Sequence, residues 1–104
     1  MKNSYPFEKF SNAVHTMAVS PNSIQKRIAD AYLFNLIHLR VEELPEEIHH
    51  RFVEMEEKLT SVASVGDEGS VYASVKEIST DEAVEIARSI MYMADVVESD
   101  YRND

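Results

Sequence analysis

The feature that most constrains this chain is residues 28–44, IADAYLFNLIHLRVEEL, its most apolar stretch. Wound as an α-helix at about 100° per residue, the stretch places apolar side chains at nearly every angle around the axis. A helix that is hydrophobic on all sides must be buried on most of them. Polar and charged residues interrupt the stretch before the roughly 20 apolar residues that a bilayer span requires. We therefore expect a central helix, surrounded by the other helices or by a second copy of the chain.

The scarcity of glycine and proline favours helices elsewhere too. Two glycines and three prolines leave little material for hairpin turns. We predict an all-α fold, a compact bundle of four main helices with a short extra helix before the last. A length of 104 residues suits one domain, residues 1–104. The absence of cysteine excludes disulfides, thiolate metal sites and cysteine nucleophiles.

The formal net charge of −9 bears on possible partners. This charge repels the phosphates of nucleic acids and anionic lipid headgroups, so we expect neither nucleic acid nor a membrane as partner. The N-terminal residues lack the continuous apolar segment of a signal peptide, which predicts a cytoplasmic protein. We therefore expect the partner to be a protein, either one with a basic surface or a second copy that forms a homodimer.

Two helices are predicted before Pro45. The first covers residues 5–19, whose apolar members recur at helical spacing: Phe7, Phe10, Val14 and Met17. Ser20 and Pro21 are typical of an N-cap and a first helical position, so the second helix is predicted to begin there. It should continue to about Glu43, because Pro45 forces the preceding residue out of the α conformation.

A third helix is predicted to begin at Pro45. Its apolar residues alternate at spacings of four and three: Ile48, Phe52, Met55, Leu59 and Val62. Because the connection is so short, we expect the second and third helices to be antiparallel neighbours.

The last third of the chain is predicted to contain a loop, a short helix and a long helix. Residues 64–70 hold both glycines, which favours a flexible connector. Residues 71–78 fit a helix or a short strand, and we choose the helix because no partner strand is predicted. Ser79 and Glu82 have the spacing of a capping box. They open a helix to about Glu98, which leaves residues 99–104 as a frayed tail.

Four residues of the second helix are the candidate site. Asn35, His38 and Glu42 fall on one helical face, which we call the polar strip. The polar strip is exposed to solvent, sets the register of a dimer, or forms a hydrogen-bonded network in a functional groove. Arg40 lies among apolar neighbours, where it would pair with a carboxylate such as Asp95 or Glu98 or extend to the edge of the core. No nucleophile or cofactor motif converges on these residues, so we assign no catalytic residue.

The histidines suggest a metal site that the helical geometry argues against. Glu46-x-x-His49 and Glu47-x-x-His50 have the form of the Glu-x-x-His element of di-iron bundles. On the third helix these side chains point away from the apolar face that contains Ile48. We therefore expect a solvated helix face, with no metal and no other cofactor.

Several short strings within about residues 20–95 resemble a pattern found in small bacterial all-helical proteins without an assigned activity. They are Ser23-Ile24-Gln25 with Arg27, Ala29-Asp30-Ala31-Tyr32, Leu44-Pro45-Glu46-Glu47, Gly66-Asp67-Glu68-Gly69-Ser70 and Ser79-Thr80-Asp81-Glu82-Ala83. The resemblance implies a bacterial cytoplasmic protein and transfers no functional residue.

The function predicted from the sequence is a non-enzymatic, acidic interaction module that self-associates or binds a protein partner as an accessory or regulatory subunit. The alternative is a small ligand-binding, metal-binding or enzymatic bundle that uses the polar strip in a groove.

Overall fold

Five α-helices account for most of the residues that the computed structural model describes, 3–63 and 66–103. They are α1 (Tyr5–Val19), α2 (Ile24–Ala31), α3 (His49–Leu59), α4 (Gly66–Lys76) and α5 (Thr80–Arg102). A π-helical turn, Tyr32–Leu36, continues α2, and two 3₁₀ turns, Val41–Glu43 and Glu46–Ile48, precede α3. Within these ranges there is no strand and no helix both long and apolar enough to cross a bilayer. The all-α prediction is confirmed, with α4 as long as α3 instead of a short addition.

α2 lies at the centre of the bundle, as its sequence predicts. Residues 28–32 are buried in succession, so this part of the chain is covered on all sides. α2 packs against α1, α4 and α5, and α1 also packs along α5. Phe10 and Phe52 bring α1 and α3 together in the core, with ring centroids 6.3 Å apart in an edge-on arrangement.

Both predicted ends of the second helix are wrong. The N-cap is Ser23, whose Oγ accepts a hydrogen bond from the Lys26 N–H at 3.2 Å, whereas Ser20 terminates α1 in an extended conformation. The helical turns end at Leu36, not at Glu43. Leu39 donates its N–H to the Leu36 carbonyl at 3.0 Å, which tightens the last turn and stops the helix. Leu39 is then buried from non-helical backbone.

The third helix has the predicted core face but not the predicted neighbour. Phe52, Met55 and Leu59 are buried on α3, and Ile48 is buried in the 3₁₀ turn before it, since the α-helix begins at His49 and not at Pro45. Val62, the fifth predicted position, follows the end of α3 and is half-buried. α3 packs mainly against α4 and α5, while α2 packs mainly against α1, α4 and α5, so α2 and α3 are not principal neighbours. The twelve residues that separate the π-turn from α3, 37–48, contain only short 3₁₀ turns, and they replace the tight connection on which the prediction depended.

Residues 66–70 are helical, so the predicted flexible connector is wrong for that part, and Ser64 and Val65 lie outside the described residues. The choice of helix for residues 71–78 is confirmed as far as Lys76. Side-chain hydrogen bonds hold α4 against the end of α3. Ser74 Oγ accepts from the Val62 N–H at 2.9 Å, and Ser70 Oγ donates to the Val62 carbonyl at 2.7 Å. With Val71 and Ser74 fully buried, tertiary contacts outweigh the low helix propensity of glycine.

The last helix begins as predicted and ends later. Ser79 Oγ accepts a hydrogen bond from the Glu82 N–H at 3.1 Å, which confirms the cap. α5 continues to Arg102, so the expectation of a frayed tail is wrong for residues 99–102, and Asp104 lies outside the described residues. The Tyr101 ring stacks on the Phe7 ring with centroids 5.0 Å apart, and this contact with α1 holds the final turn.

Candidate functional site

The polar strip is not a single helical face in the structure. Because the helical turns end at Leu36, His38 and Glu42 leave the direction set by Asn35. Asn35 is buried, and its amide donates to the Ala31 carbonyl and to Thr16 Oγ1 of α1, both at 3.2 Å. His38 and Glu42 are exposed. Asn35 therefore has a structural partner on α1, whereas His38 and Glu42 contribute to the protein surface.

Arg40 lies on the surface, not among apolar side chains. Its guanidinium Nε is 3.7 Å from Glu43 Oε1, and the same oxygen accepts the Arg40 N–H at 2.9 Å. The predicted pairing with Asp95 or Glu98 is wrong, because Arg40 pairs with Glu43 three residues later, and its exposure agrees instead with the alternative that its side chain extends to the edge. An exposed ion pair of this kind contributes at most about 1 kcal/mol to stability.

The π-turn of residues Tyr32–Leu36 is the most unusual local geometry along α2. The Ile37 N–H donates to the Tyr32 carbonyl at 2.8 Å, a hydrogen bond that spans five residues instead of four. Such turns are rare and occur often at functional sites. Tyr32, Asn35 and Leu36 are buried, whereas Phe34 is 64% exposed, the highest value among the large apolar side chains of the described residues. Sequence periodicity predicted burial for this whole stretch and so missed the exposed ring.

Two buried or half-buried carboxylates accept hydrogen bonds from tyrosines. The Tyr32 hydroxyl donates to Glu56 Oε2 at 2.9 Å, and the Tyr72 hydroxyl donates to Asp30 Oδ1 at 2.7 Å. Lys26 Nζ lies 3.5 Å from the same Asp30 oxygen. Burial raises the pKa of Glu56, and the hydrogen bond from Tyr32 partly offsets that rise. The sequence signal for the group formed by Asp30, Tyr72 and Lys26 was Asp30 itself, an aspartate within a helix that is apolar on all sides.

The histidines do not form a metal centre in the part of the chain that is described, where no group of three His, Asp or Glu side chains is placed to hold an ion. His49 is half-buried, with Nε2 at 2.8 Å from the Leu44 carbonyl oxygen. His50 is exposed, with Nε2 at 3.6 Å from Glu54. His49 and His50 therefore each have a contact with a residue four or five positions away in the sequence.

Carboxylates accumulate where the C-terminal part of α5 passes the 3₁₀ turn before α3. A groove of about 400 Å³ lies there, and it is lined by Glu47, Asp95, Val96, Ser99, Asp100 and Asn103. Three of these six side chains are acidic, and none is basic. This part of the surface is therefore a source of negative potential.

Comparison with known proteins adds no relative: no protein-family model, no curated protein and no solved structure matches the chain.

Proposed function

We propose that this chain is a non-enzymatic interaction module that binds a partner protein through Phe34 and acts as an accessory or regulatory subunit. The observation that carries the proposal is the 64% exposure of Phe34 within residues 28–36, where every other residue is buried or half-buried. Burying a phenylalanine side chain is worth about 1.5–3 kcal/mol, and a partner with an apolar pocket would recover this free energy. Aromatic side chains that enter such pockets supply much of the affinity at protein interfaces.

The backbone around Phe34 is fixed before any partner arrives. Asn35, the next residue, is held by hydrogen bonds to Ala31 and to Thr16, and Tyr32 is held by Glu56. A rotation that buried Phe34 in its own core would break these contacts. Because the backbone that carries the ring is already fixed, less conformational entropy is lost on binding.

The charge of the chain favours a basic partner. A net charge of −9, with an acidic groove formed by Glu47, Asp95 and Asp100, attracts positively charged proteins and accelerates their association. Two copies of the chain repel each other through the same charge. A second copy of the chain, as in the homodimer predicted from the sequence, is therefore the competing occupant of the Phe34 surface. The mass of the complex distinguishes a second copy from a different protein.

The proposal is tested by placing a photo-crosslinking phenylalanine analogue at position 34 and irradiating living cells that express the chain. We expect one adduct of discrete mass whose second component is a basic protein. The matched control carries the analogue at Met91 of α5, which is 53% exposed and outside the proposed surface. Phe34→Ser should abolish binding of the identified protein and change the free energy of unfolding by less than about 0.5 kcal/mol, since the ring contributes little to the core.

Identical adducts from positions 34 and 91, or none from position 34, would count against the proposal. An adduct of twice the 11.9 kDa chain mass would show that the protein bound at Phe34 is a second copy of the chain. Sedimentation of the purified chain, with Phe34→Ser as comparison, measures that self-association directly.

A further inference from the structure

A second surface feature, separate from Phe34, is a cavity of about 340 Å³ between the first turn of α2 and the last turns of α4. It is lined by Ser23, Gln25, Lys26, Tyr72, Val75 and Lys76. None of these residues belongs to the polar strip. A volume of this size lies at the lower end of the range for small-molecule sites.

The walls of the cavity are held in place by one buried carboxylate. Asp30, only 7% exposed, accepts the Tyr72 hydroxyl at 2.7 Å and lies 3.5 Å from Lys26 Nζ through the same oxygen. Lys26 Nζ is also 5.0 Å from the centroid of the Tyr72 ring. The aromatic wall and the first cation are therefore fixed relative to each other, which is the pre-organisation that lowers the cost of binding.

A further contact braces the opposite side. The Gln25 amide donates to the Ile78 carbonyl at 3.1 Å, which ties α2 to the turn between α4 and α5. The Val75 side chain is buried. The cavity is thus bounded by two helices that cannot separate without breaking buried contacts.

The charge of the lining is opposite to that of the chain. Lys26 is balanced by Asp30, but Lys76 has no ion-pair partner among the side chains that the structure describes, those of residues 3–63 and 69–103. The lining named above includes no carboxylate. Lys76 therefore lines the same cavity as Tyr72 and Val75 and brings a positive charge to it, on a chain whose net charge is −9.

We infer that this cavity binds a small organic anion with a flat apolar body, such as an aromatic carboxylate. The ring of the ligand lies against Tyr72 and Val75, and its carboxylate accepts hydrogen bonds from the Lys76 ammonium group. The one positive charge of Lys76 that no carboxylate of the lining balances equals in magnitude the charge of a monoanion. Phosphate esters carry more charge than this lining balances.

The test is a titration of the full chain with benzoate, followed through backbone amide chemical shifts. We expect saturable shifts confined to the cavity, at Ser23, Tyr72, Val75 and Lys76, and binding up to about fivefold weaker for benzamide, which has the same shape without the charge. Lys76→Gln should weaken benzoate binding by a similar factor. Lys76→Arg should retain it, because the positive charge is kept.

The matched control is Lys58→Gln on α3, which changes the net charge by the same amount at a lysine paired with Glu54. Equal weakening by both glutamine variants would mean a general charge effect and would overturn the inference. Equal binding of benzamide, shifts spread over the surface, or no saturation would overturn it as well. Because Lys76 is exposed, its variants remain folded and the comparison stays interpretable.

Discussion

The Tyr32 hydroxyl donates a hydrogen bond to Glu56 Oε2 at 2.9 Å and so joins the π-turn after α2 to the middle of α3. α2 and α3 are not principal neighbours, so this bond is a specific link between two parts of the chain that otherwise pack on other helices. It also places a carboxylate in a partly buried position, where burial disfavours its charged form.

Glu56 makes the stability of the fold depend on pH. Burial raises its pKa above the ordinary value of 4.5, and the Tyr32 hydrogen bond opposes this only in part. The folded chain therefore holds the proton more tightly than the unfolded chain does. The resulting stabilisation is complete below the unfolded pKa and is lost as the pH rises through the folded pKa. We expect Glu56→Gln to gain stability relative to the wild type as the pH rises above the unfolded pKa of 4.5.

Urea unfolding at a series of pH values measures this difference. The matched control is Glu57→Gln, because Glu57 is the exposed neighbour on α3 and its substitution removes the same charge. Parallel pH profiles for the wild type and Glu56→Gln, or an equal change for Glu57→Gln, would show that Glu56 does not carry the effect.

Ser74 anchors α4 to the segment that follows α3. Its side chain is fully buried, and Oγ accepts the Val62 N–H at 2.9 Å. Ser74→Ala leaves that N–H without its acceptor, so we expect a loss of about 1–2 kcal/mol in the free energy of unfolding. Ser61→Ala removes only an exposed hydrogen bond to the Lys58 carbonyl and should change stability by less than about 0.5 kcal/mol. Equal values for the two variants in denaturant unfolding would remove Ser74 as an anchor.

The core and the helix faces were predictable because they depend on local periodicity. The spacing of Ile48, Phe52 and Met55 defined a face that is buried, and Ser79 with Glu82 defined a cap that forms. Both signals lie within one or two turns of helix, where the period of the α-helix relates sequence to direction. The all-α class follows from the same signals together with the lack of turn-forming residues.

The site was not predictable, because it depends on departures from that periodicity. Phe34 is exposed within the π-turn, and because the helical turns end at Leu36, the predicted alignment of Asn35 with His38 and Glu42 is lost. The spacing of apolar and polar residues in the sequence does not predict where such a turn occurs.

The aromatic and polar pairs were missed for a related reason. Asp30 and Tyr72 are 42 residues apart in sequence, and the side chains that meet across such a distance are set by packing, not by local pattern. The same applies to glycine in residues 66–70, where contacts with Val62 outweigh a local preference for loop.

The contact between Tyr101 and Phe7 decides whether the final turn of α5 is ordered. The two rings stack with centroids 5.0 Å apart and an interplanar angle of 10°, which joins the last turn of the chain to the first turn of α1. Such aromatic pairs contribute about 0.5–1.5 kcal/mol beyond the area that they bury. We expect Tyr101→Ala to lose about 1–2 kcal/mol of stability and to reduce hydrogen-exchange protection of the amides of residues 99–103 selectively.

Tyr101→Phe retains the ring and should keep both properties, and Met91→Ala is the control for an exposed residue of the same helix. If the amides of residues 99–103 exchange at the unprotected rate in the wild type, the final turn is frayed as the composition of the tail predicts, and the stacking contact does not hold it.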